Sequence, residues 1–107
     1  MSKNVGEYGV LFNFNANYAL TAATSLMLSF TRPDGTTFSA TGSQVTAPNV
    51  PYVTTDGNGT FNAGEYARYT VAQGDWTVSG QYSVRLTYID TTPMLLRSEP
   101  VWFVVNP

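Results

Sequence analysis

Histidine and cysteine are absent from this 107-residue chain. With them go the commonest general base, the commonest transition-metal ligand and every thiolate nucleophile or disulfide. What remains for chemistry is oxygen, in seven acids set mostly beside turns. Asp56-Gly57-Asn58-Gly59-Thr60 has a superficial likeness to a calcium loop. An EF-hand loop needs more acids and closes on a glutamate at its twelfth position. Counted from Asp56, the twelfth residue is Ala67 and Glu65 is the tenth, so a hairpin turn explains the segment better. Glu65, Asp75, Asp34, Asp56 and Asp90 would serve glycoside hydrolysis only if folding brought two of them together, and each has an ordinary explanation as a turn or surface residue. The glycines are turn punctuation without a phosphate-cradling loop. Asn58-Gly59-Thr60 matches a glycosylation sequon, which carries no weight without a secretory signal. The expectation is a protein with no catalytic residue, no metal and no cofactor.

Positioning therefore matters more than reactivity. The length fits one domain, residues 1–107, with 1–6 read as an extended N-terminal arm. An apolar share of 43% rules out wholesale disorder, and a charged share of 11% is under half the usual value. A net charge of −2 leaves no electrostatic footprint for nucleic acid. No apolar run reaches the roughly 18 residues of a membrane span, and Met1 to Glu7 lack a signal-peptide pattern. No nucleic-acid or membrane partner is expected, and assembly is expected in a cytoplasm.

Period two dominates the chain. Tyr8, Val10, Phe12 and Phe14 alternate with Glu7, Gly9, Leu11, Asn13 and Asn15, with Leu11 the one stray apolar residue, and Leu26, Leu28 and Phe30 alternate with Met27, Ser29 and Thr31. Arg32-Pro33-Asp34-Gly35 then turns the chain into Phe38 and Ala40, a hairpin. Pro48 and Pro51 restrict the middle to short or edge strands. Ala67, Tyr69 and Val71 alternate with Tyr66, Arg68 and Thr70. Tyr82, Val84, Leu86 and Tyr88 form the cleanest strand, and Thr91-Thr92-Pro93 closes it. Seven or so short antiparallel strands, with turn signals every 8–12 residues, give an all-β chain with the pattern of a single Ig-like β-sandwich. Gly80 two residues before Tyr82 marks Tyr82 as a tyrosine corner, its phenol bonding back to nearby backbone. Tyr88, in the same strand, is expected to lack such a partner.

Most aromatics fall on apolar strand faces. Tyr52, Tyr66, Trp76 and one of Trp102 or Phe103 do not, and exposed aromatics on a β-sandwich point to a protein interface or to carbohydrate stacking. The last segment is broken by Pro100 and then reads apolar on both faces, Val101, Phe103 and Val105 against Trp102 and Val104. A strand of that kind is covered twice, by its own core and by a neighbour. Trp102, Val104, Trp76 and Tyr66 are therefore the candidate interface residues.

Several segments in order carry a resemblance: Gly9-Val10-Leu11-Phe12, Leu20 to Thr24, Ser25 to Phe30, Arg32 to Thr37, Gly64 to Thr70, Gly80 to Leu86 and Arg97 to Val105. Together they resemble the small Ig-like virion proteins of tailed bacteriophages, including N-terminal domains of baseplate upper proteins and neck, tail or head-associated proteins. The resemblance implies a non-enzymatic, multi-copy structural role. Its partners would be capsid, portal or neck and tail or baseplate proteins and copies of itself, in a virion assembled in the bacterial cytoplasm. The alternative is a glycan- or receptor-binding module of a tail tip or fibre, with Trp76 and the tyrosines as stacking platforms.

Overall fold

The computed structural model describes residues 3–53 and 60–107, so the turn read at Asp56 to Gly59 lies outside the described residues. The chain is all-β, with eleven strands and a single 3-10 turn at Gly42–Gln44 among the described residues. The strands are β1 (Lys3–Asn4), β2 (Leu11–Asn15), β3 (Ala23–Thr31), β4 (Thr37–Thr41), β5 (Val45–Thr46), β6 (Tyr52–Val53), β7 (Thr60–Phe61), β8 (Tyr66–Thr70), β9 (Gly80–Asp90), β10 (Leu95–Arg97) and β11 (Val101–Asn106).

The larger sheet runs β1-β11-β9-β3-β4, with β10 continuing β11 along β9. A smaller sheet runs β2-β8-β5, and β6 pairs with β7 alone. Phe12 and Phe14 from β2, Ala67 and Tyr69 from β8 and Val45 from β5 join one core with Leu28 and Phe30 from β3 and Tyr82, Val84 and Leu86 from β9. Side chains of the two sheets thus share one core. Phe12 sits edge-on to Phe30 at 5.3 Å, and Phe30 lies 5.9 Å from Tyr69, which pins one sheet to the other. Each fully buried aromatic contributes on the order of 2–3 kcal/mol from apolar burial.

The alternation in β3 and β9 is realised, since Leu26, Leu28, Phe30, Tyr82, Val84, Leu86 and Tyr88 are all buried. The opening segment departs from it. Gly6 and Gly9 take φ of 87° and 77°, which breaks the extended backbone, so the strand starts only at Leu11 and Tyr8 stays exposed. Residues 3–6 do not project as an arm. Lys3 and Asn4 pair in parallel with Val105 and Asn106, a departure from purely antiparallel pairing. The Val5 and Gly6 amides donate to the Asn106 and Trp76 carbonyls.

The β3–β4 hairpin forms as its turn residues require. Asp34 Oδ1 accepts from the Thr36 amide at 3.0 Å and its hydroxyl at 2.6 Å, while Gly35 supplies a φ of 88°. The tip is tied to the β8–β9 connection. Arg32 donates from Nε to the Asp75 carbonyl and from a terminal nitrogen to the Gly74 carbonyl, its guanidinium lying 4.6 Å from the Phe38 ring. Gly80, at φ 128°, passes so close to Pro33 that a Cβ there would meet Pro33 Cγ at 2.9 Å.

Candidate interaction surface

The register of β11 on β9 decides which aromatic faces out. Phe103 stands opposite Tyr82 and Trp102 opposite Ser83. Because Tyr82 points into the core, its partner Phe103 does too, against Tyr82 at 5.4 Å and Phe12 at 5.0 Å. Trp102 and Val104 then point away, and they are 59% and 58% exposed. Pro100 separates β10 from β11, and around this break Ser98 bonds Leu86 through both its amide and its hydroxyl. β1 pairs only with Val105 and Asn106, so among the described residues no strand pairs with the outer edge of Val101 to Val104. Val101, Leu95 and Leu96 along the same edge are exposed as well. An open strand edge flanked by apolar side chains is a ready surface for another chain.

The other two expected interface residues are elsewhere. Trp76 is buried at 3% exposure, its ring 6.2 Å from Phe103. It lies in the β8–β9 connection, where strand alternation assigns no face, and it closes one end of the core. Tyr66 is fully buried although it alternates outward from Ala67. The β6–β7 hairpin covers it, with Tyr52 and Phe61 packed on its ring at 6.3 and 5.8 Å and its hydroxyl donating to the Val50 carbonyl. Neither is a surface residue. Sequence signals existed for Tyr66, in the aromatic pair Tyr52 and Phe61 flanking one turn.

Tyr82 is fully buried, and its hydroxyl donates to the Val78 carbonyl four residues back at 2.7 Å. Tyr88, read as a strand tyrosine without a corner, donates to the Asp90 carboxylate at 2.9 Å. Burial first, and then that bond, raises the Tyr88 hydroxyl pKa.

Asp34, Asp75 and Asp90 serve turns. Asp90 accepts from the Thr92 amide and hydroxyl, the Met94 amide and Tyr88. The Thr92 hydroxyl, followed by its amide, holds the Asp90 carboxyl below its ordinary value. The Thr36 hydroxyl and amide do the same for Asp34. Asp75 accepts from the Ala72 amide and the Tyr69 hydroxyl. Burial, then the Asp75 bond and charge, push Tyr69 up to about 12. No group of three or more acids gathers as a metal site among the described residues.

No family model, no curated protein and no solved structure matches this chain.

Proposed function

We propose that the chain is an Ig-like β-sandwich acting as a non-enzymatic structural and interaction protein of a tailed-phage virion, in multiple copies that decorate or join larger rings of capsid, neck or tail and baseplate. Strand neighbours support the Ig-like part. If β2, β3, β4, β5, β8, β9 and β11 are strands B, C, C′, D, E, F and G, one sheet reads B-E-D and the other C′-C-F-G. Tyr82, bonded to Val78 at the start of β9, then stands where this fold carries its tyrosine corner.

The observation that carries the interaction role is the exposed pair Trp102 and Val104 on the outer face of β11, beside an edge that no described strand covers. The virion rests on the resemblance of the ordered segments. Glycan stacking on Trp76 is no longer an option, because that ring is in the core. Mass spectrometry of gradient-purified particles from cells infected with a phage carrying this gene tests the reading. Stoichiometric incorporation, lost with Trp102→Ala, is the expected result. Absence of the wild-type chain from particles overturns it.

A further inference from the structure

The outer face of the smaller sheet holds a second feature. Arg68 faces outward from β8, between Asn13 of β2 and Thr46 of β5 in the pairing register. Its Nε donates to Asn13 Oδ1 at 2.9 Å, and its guanidinium lies 5.6 Å from the Tyr66 ring and 5.9 Å from the Tyr52 ring. Three contacts therefore hold a long, flexible cation in one place on a half-open surface. Beside it is an open cavity of about 270 Å³ lined by Ser43, Gln44, Thr46, Arg68, Thr70 and their neighbours Tyr69 and Ala72. The lining residues bring the Ser43, Thr46 and Thr70 hydroxyls, the Gln44 amide and Arg68, the Tyr69 hydroxyl being taken by Asp75, and none of them is acidic.

From this placement we propose that the cavity binds an acidic sugar, one carboxylate-bearing ring, independently of the virion reading. The volume lies just under the roughly 300–1,000 Å³ of drug-sized sites, which suits a single ring. A guanidinium fork matches a carboxylate with two parallel hydrogen bonds, and the Ser43, Thr46 and Thr70 hydroxyls match ring hydroxyls as donors or acceptors. Because Asn13 and the two tyrosines already order Arg68, binding loses little side-chain freedom. A neutral sugar forgoes the charge-assisted pair, and a bare phosphate forgoes the hydroxyl contacts.

The test is amide chemical-shift titration of the full chain with sodium glucuronate, with glucose and inorganic phosphate as parallel arms. Expected are saturable shifts confined to residues 43–46 and 68–72 with glucuronate, and binding of glucose and phosphate weaker by roughly tenfold or more. Arg68→Lys keeps the charge but not the fork and should weaken glucuronate roughly tenfold. Circular dichroism checks its fold. If that variant fails to fold, Thr46→Val and Thr70→Val decide, and each should weaken binding severalfold. Unsaturable or scattered shifts, equal binding of all three solutes, or full affinity in the folded variants would each overturn the site and leave Arg68 as a cover for Tyr66.

Discussion

Asp34 and Asp90 each close a turn by accepting from a threonine two residues on, through both its amide and its hydroxyl. Both folded-state pKa values fall below the ordinary 3.8. The folded state thus binds fewer protons than the unfolded chain, and the resulting stability is present above that value and lost as pH falls through the folded values. Thermal melts followed by circular dichroism should hold steady from neutral pH down to about pH 4 and drop below it, with Asp34→Asn and Asp90→Asn flattening the acid limb. Tyr69 works at the other end. Its raised pKa favours the neutral phenol in the folded state, so its contribution is present below pH 10 and lost as pH rises from 10.0 toward about 12. Tyr82→Phe removes the bond to Val78 and should cost about 1 kcal/mol, up to roughly 3 if the carbonyl is left buried and unpaired. Tyr18, 44% exposed, is the control, and Tyr18→Phe should lie within about 0.5 kcal/mol of wild type in denaturant unfolding. Tyr88 is no control, since Asp90 takes its hydroxyl. The residue types named these tyrosines, but the partner of each hydroxyl is set by a turn whose shape alternation does not encode.

At the scale of elements, the join between the β3–β4 tip and the start of β9 is tight. Gly80→Ala would place a methyl against Pro33 on a backbone at φ 128°. It should cost about 1–3 kcal/mol from strain alone, measured by denaturant unfolding. Gly35→Ala, with open space around its Cβ position, lacks the clash and should cost less. The β6–β7 hairpin is a separate unit lying on Tyr66. Phe61→Ala should release hydrogen-exchange protection at Tyr52 and Val53 while the amides of β9 keep theirs, since locally opening units need not involve the main core. Strand boundaries were readable wherever Pro, Asp and Gly punctuate them, as at Arg32 to Gly35. They were not readable at Tyr8, because glycines at positive φ interrupt an alternation that looks continuous in the letters.

For the whole molecule, the two faces of β11 have opposite duties. Phe103 is packed among Phe12, Tyr82 and Trp76, and Phe103→Ala should destabilise the monomer by about 3 kcal/mol. Trp102 is outside that core, and Trp102→Ala should shift stability by no more than about 0.5 kcal/mol while removing the chain from particles. Circular dichroism melts and abundance in purified virions read the two effects separately. Equal destabilisation by both changes, with neither lost from particles, would mean that the interface lies elsewhere.

Local chemistry in the letters was enough for the β class, the hairpin at Pro33-Asp34-Gly35 and the buried faces of β3 and β9, because period two and turn residues act over a few positions. The same letters showed that one of Trp102 and Phe103 must face away from the core, since successive side chains on a strand alternate. Which one did not follow, because that depends on the register of β11 against Tyr82 and on which face of β9 meets the other sheet. Tyr66 and Trp76 were lost to the interior for a related reason. A side chain that alternation sends outward is still buried when a distant hairpin or a loop covers it, and that cover exists only after the sheets have met. Arg68, Asn13 and Thr46 come together only in the sheet, where pairing of β2, β8 and β5 brings three separate segments onto one face.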